Sequence, residues 1–109
     1  EDGWVRTVFG LVLLEAGRDE EATGELISGA RRSPHDVDAQ IAAALAAAAS
    51  GLDEAYEMLE RARMLSAEGD LVLVADLEER IDAGDESAGL ALREDFAPDM
   101  LRTRLQVRP

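Results

Sequence analysis

Apolar residues along this chain come in blocks separated by short joints that carry glycine, proline and acid. In the first block Val8, Leu11 and Val12 alternate with Phe9, Leu13 and Ala16, so nearly every face is apolar, as expected of a helix sandwiched between neighbours. Ile41 to Ala49 is alanine-rich, and alanine is the strongest helix former with the thinnest side chain. Leu71, Val72, Leu73, Val74 and Leu77 would read as a strand in isolation, because β-branched residues are mixed in; their position in the series argues for a helix. The pattern predicts helices at about 3–16, 19–32, 37–50, 53–66, 71–83 and 86–95, and a short seventh starting at Pro98. Ser33-Pro34-His35-Asp36 and Ala67-Glu68-Gly69-Asp70 are the expected turns between hairpins, with Asp36 and Asp70 as N-caps.

The blocks repeat. Gly17, Gly51 and Gly84 are spaced by 34 and 33 residues, Ala22, Ala55 and Ala88 by 33 and 33, and Leu26, Leu59 and Leu92 by 33 and 33. Each row has a mechanical meaning. A glycine can take the left-handed conformation that ends a helix, and an aspartate just after it (Asp19, Asp53, Asp85) can cap the next helix and place negative charge at its positive end. The alanine, one turn into the second helix, allows close approach of the partner helix, and the leucine four residues on fills the contact.

These rows resemble tetratricopeptide repeats. In the first repeat Phe9-Gly10, Leu13, Gly17, Ala22, Leu26, Gly29 and Pro34 fall at the family's spacing, with Arg6 standing where its tryptophan belongs. The later repeats keep the glycine, alanine and leucine, are one residue shorter between glycine and alanine, and have Ala67 in place of the closing proline. The resemblance implies an all-α, helical-hairpin solenoid in one domain spanning 1–109, with repeats at about 3–36, 37–69 and 70–97 and a cap at 98–109. It also implies a concave groove, lined by the first helix of each hairpin, that receives peptides or helices. Mapped onto this chain, the groove would carry Trp4, Thr7, Leu11 and Leu14 from the first repeat, Asp38 or Ile41 with Leu45 from the second, and Leu71, Val74 and Glu78 from the third.

Charge narrows the partner. The net charge is −13 from 24 acids against 11 arginines, with no lysine and no asparagine. Family members that clamp carboxylate tails use lysine and asparagine, so that ligand class is excluded. A nucleic acid would be repelled over most of the surface. The expected partner is a protein or peptide, in particular a basic amphipathic segment drawn in by charge and retained by apolar contacts. The alternative is a structural or homo-oligomerisation domain in which Trp4 and Leu11 meet another copy or neighbouring hairpins. Arg102, Arg104 and Arg108 in the tail are read as cations complementing a helix C-terminus rather than as a phosphate or lipid contact. The acid-rich, lysine-free composition suits either a high-salt source or a GC-rich genome.

Candidate chemistry is sparse. His35 is the sole histidine, placed in a turn beside Asp36 and Asp38, and there is no cysteine. The five serines lack a nucleophile elbow, and the glycines form no phosphate loop. The expectation is therefore binding rather than catalysis, without metal or cofactor. No stretch has the length and apolarity of a membrane span or a signal core. A cytoplasmic setting is expected, and the start at Glu1-Asp2-Gly3 suggests a piece of a longer polypeptide.

Overall fold

In the computed structural model, the described residues are 2–66 and 71–106, without the side chains of residues 71–73. The predicted turn at 67–70 with its Asp70 cap, the side chains of Leu71, Val72 and Leu73, and Arg108 lie outside them. The elements are α1 (Asp2–Glu15), α2 (Asp19–Arg32), α3 (Val37–Ala49), α4 (Glu54–Leu65), α5 (Leu71–Asp82), α6 (Asp85–Leu90), a π-helical stretch (Ala91–Phe96) and α7 (Ala97–Gln106). No strand occurs among the described residues, so the chain is all-α; α5 follows the repeat rather than its local β propensity.

Glycine sets the corners. Gly17, Gly51 and Gly84 have φ of 80°, 71° and 119°, which a side chain would disfavour. At the first corner Arg18 N–H donates to Leu13 O at 2.9 Å and Gly17 N–H to Leu14 O at 3.1 Å; at the second, Leu52 N–H donates to Ala47 O at 2.8 Å and Gly51 N–H to Ala48 O at 3.0 Å. Both are the paired bonds that satisfy the last carbonyls of a helix before the chain turns back. The aspartates after the glycines do not cap as expected: Asp19 and Asp85 already lie inside their helices, and Asp53 is helical and accepts no capping bond. Their contribution is charge near the positive helix end. Asp36 does cap, accepting from Ala39 N–H at 3.1 Å.

The alanine and leucine rows are interior. Ala22, Ala55 and Ala88 are at most 1% exposed, and Leu26, Leu59 and Leu92 at most 2%. Helix α1 packs along α2, and α3 along α4; α3 also touches α2, α5, α6 and the π-helical stretch, which makes it the hub. Its residues from Ala39 to Ala48 are all buried, because alanine lets neighbours close in on every side. Gln40 is the polar exception in the hub, and its amide donates to Ala30 O at 2.9 Å and Ser33 O at 3.0 Å, satisfying carbonyls at the end of α2.

The predicted break before Pro98 is absent. Leu90, Ala91 and Ala97 all have helical backbone angles, so residues 85–106 form one continuous helical run with a π-helical stretch inside it. Proline lacks the N–H that an α-helix would use there, and its ring crowds the preceding turn; the wider π geometry just before Pro98 relieves that conflict. The run carries α7 back over the first two hairpins, where it meets α1. The Cα radius of gyration is 12.2 Å, with extents of 30 × 30 × 21 Å. A compact globule of this length would have about 13 Å, so the chain is folded back on itself rather than drawn out along a stack.

Candidate functional site

The predicted groove residues are brought together, but inside the molecule. Thr7, Leu11 and Leu45 are fully buried, Val74 is 1% exposed, Ile41 3% and Leu14 9%. Trp4 is half-buried, and Glu78 stays at the surface, where it accepts from Arg63 at 3.1 Å. The expectation that these positions line an open groove is therefore corrected: α7 packs on α1, and α5, α6 and the π-helical stretch pack on α3. A cleft of about 290 Å³ on one flank of α7 is lined by Leu11, Leu14, Glu15, Arg93, Ala97 and Pro98. A second, of about 270 Å³, is lined by Asp38, Ile41, Asp95, Phe96, Asp99, Met100 and Thr103. Helix α7 thus lies between the edges of α1 and α3 that the family resemblance assigns to a ligand.

Two ion pairs tie this C-terminal run to the first hairpins. Arg104, only 7% exposed, donates to Asp36 Oδ2 at 2.7 Å while the other carboxylate oxygen of Asp36 caps α3. Arg93 reaches Asp19 at 3.4 Å. Arg102 pairs with Asp99 at 3.2 Å. The tail arginines within the described residues are thus internally neutralised, and Arg104 serves a distant helix start rather than its own helix end.

Asp38 is mostly exposed, yet the packing beneath it desolvates its carboxyl and raises it above the ordinary aspartate range; Arg104 pulls it back and Asp36 pushes it up again. A carboxyl raised by folding weakens the fold when ionised. That penalty is absent below the unfolded-state value, grows as pH rises past it and is complete above the folded one. Asp38→Asn is therefore expected to melt higher than the parent at neutral pH and to lose that advantage in acid, below about pH 3. Thermal melts at both pH values check it; a lower melting point at neutral pH would mean that the Arg104 attraction outweighs desolvation.

An uncovered apolar face lies elsewhere, on the outer side of α1. Val5, Phe9 and Val12 are 56%, 51% and 45% exposed and recur at the spacing of one helix face. Beside them a shallow depression of about 450 Å³ between α1 and α2 is lined by Arg6, Phe9, Leu13, Glu21, Gly24, Glu25 and Ser28. A side chain at Gly24 would meet nothing within 4 Å, so the α2 wall of this depression is low. The rim is acidic. Its two acids, Glu25 and Glu21, are held by Arg6 and Arg18 at 3.2 and 2.6 Å, whereas Glu15 borders the cleft beside α7 and Glu20 a depression at the α1–α2 corner. These stripe residues were not among the predicted site positions. Their signal was the all-round apolarity of the first block, which packing against α2 on one side leaves unexplained on the other.

His35 is exposed in its turn and borders a depression of about 470 Å³ with Pro34, Glu57, Glu60, Arg61, Met64 and Leu65. Among the described residues, no three His, Cys, Asp or Glu side chains cluster closely enough to hold a metal ion, and no helix is long and apolar enough to cross a membrane. Comparisons with protein-family models, curated proteins and solved structures found no match to this chain.

Proposed function

We propose that the chain is a protein-interaction module of tetratricopeptide-like hairpins that binds a basic amphipathic helix along the outer face of α1. The observation that supports this reading is the bare Val5–Phe9–Val12 stripe beside a depression whose rim carries Glu21 and Glu25. A helix laid into the depression between α1 and α2 would bury the stripe, its cations would meet the acids, and the low wall at Gly24 would let its backbone come close. A second copy is the weaker occupant. A two-fold contact through this face would set the acids of one copy against those of the other, with −13 on each chain.

A synthetic amphipathic helix of leucine and arginine is expected to bind saturably in calorimetric titration, and its glutamate counterpart to give no binding heat. Phe9→Glu should weaken the basic helix by about tenfold or more, the loss of one buried aromatic contact. The added negative charge would strengthen any non-specific attraction, so a loss of binding isolates the apolar contact. Equal or tighter binding to Phe9→Glu would remove this face as the site. A dimer at low salt that Phe9→Glu dissolves would favour self-association instead.

A further inference from the structure

Helix α4 carries its charge in two halves. Glu54, Glu57 and Glu60 lie in the first half, Arg61 and Arg63 in the second, and none of the five is buried, so the sign changes between residues 60 and 61. The helix macrodipole favours that order by itself. What α4 adds is the company these charges keep. Glu57, Glu60, Arg61 and Met64 recur at i, i+3, i+4 and i+7, which places them on one face. Met64 is 78% exposed, the most of any large apolar side chain among the described residues. Alongside this face runs the depression of about 470 Å³ that Pro34 and His35 border from the α2–α3 turn.

The charges of this face are loosely committed within the chain. Arg61 reaches Glu57 at 3.5 Å and Glu60 pairs with Arg63, both pairs lying at the surface. Exposed pairs of this kind contribute little to stability, so they exchange partners at small cost.

We propose that this face of α4 is the seat of a second copy of the chain, paired antiparallel about a two-fold axis that passes between residues 60 and 61. In that register Glu60 of each copy meets Arg61 of the other, twice over by symmetry. Each Met64 enters the other copy's depression at its Glu57 end and leaves water. A parallel pairing would set acids against acids and arginines against arginines. The net charge of −13 repels the copies at long range, but at about 0.15 M salt charges more than about 8 Å apart are largely screened, whereas a contact pair is not. The face is separate from the outer side of α1, where two copies would bring acids together, and either contact can fail without the other.

Sedimentation equilibrium of the whole chain at that salt concentration tests the pairing. The parent should dimerise, and Met64→Glu, Arg61→Glu and Glu60→Arg should each weaken the dimer at least tenfold. Glu60→Arg is the informative single change: it lowers the net charge, so bulk repulsion alone would tighten its dimer, whereas the proposed contact sets arginine against arginine. All three positions are at the surface, so each variant should melt close to the parent. The decisive measurement is a mixture of Glu60→Arg and Arg61→Glu chains. Each is monomeric alone, and together they should form a heterodimer about as tight as the parent dimer, because both contacts across the axis then join an arginine to a glutamate. A mixture that stays monomeric overturns the antiparallel register, and a parent that stays monomeric at millimolar concentration overturns the seat. A parent dimer that Phe9→Glu dissolves and Met64→Glu leaves intact would move self-association to the outer face of α1 and overturn the proposal equally.

Discussion

Leu45→Ala is expected to destabilise the fold by about 2–5 kcal/mol, towards the upper end of what a buried leucine truncation costs. Leu45 is fully buried in α3, and its neighbours along that helix are alanines, which have no side-chain length with which to fill a void. Helices α2, α4, α5 and α6 all contact α3, so none can move into the gap without leaving another partner. A domain of this size has about 5–15 kcal/mol in total, so the variant would lose a large share of it. Urea unfolding should show a lower midpoint with an unchanged slope. The opposite pattern, a cost under about 1 kcal/mol, is what a residue lining an open groove would give. Leu45 was expected to line such a groove, so this one substitution separates the open arrangement from the closed one.

The closed arrangement was the part the sequence concealed. Helix positions followed from period and corner chemistry: glycines at 17, 51 and 84 take positive φ, and the alanine and leucine rows between them are buried as their spacing required. Those signals are local, each settled within a turn or two of helix. What covers a helix face is not local. Leu11, Leu45 and Val74 are apolar whether the cover is a foreign peptide or the chain's own C-terminal half, and only the packing of residues 71–106 onto α1 and α3 decides between them. Pro98 added to the concealment. It reads as a helix start, but a π-helical stretch absorbs it within a continuous run, and that continuity aims α7 across the first hairpins. The Arg104–Asp36 pair, 68 residues apart, had no signal beyond composition. The outer face of α1 was half legible: the all-round apolarity of Val5 to Ala16 called for a second neighbour, and the structure leaves that side bare.

Gly29→Ala and Gly24→Ala, five residues apart on α2, should shift stability in opposite directions. A Cβ on Gly29 would lie 2.4 Å from Thr7 Oγ1 and 3.0 Å from both Gly3 O and Thr7 N, whereas one on Gly24 would have nothing within 4 Å. Thr7 is β-branched and stiff in a helix, and the other two atoms are backbone, so α1 as a whole must retreat. Overpacking of this kind costs about 1–3 kcal/mol, and the helix propensity gained by replacing glycine offsets about 1 kcal/mol of it. A net loss is expected for Gly29→Ala; Gly24→Ala keeps the propensity gain with no clash. Adding Thr7→Ala to Gly29→Ala should recover part of the loss, since it removes the closest atom and leaves the two backbone contacts, and the coupling in that double-mutant cycle measures the clash directly. The two glycines would also differ in function. Gly24 forms the low wall of the depression beside Phe9, so its variant, though more stable, should bind the leucine–arginine helix less tightly as the wall rises. Stability and binding would then move in opposite directions at one position. A Gly24→Ala variant that gains stability and binds the helix as before would place the contact along Val5 and Val12 rather than in the depression between α1 and α2.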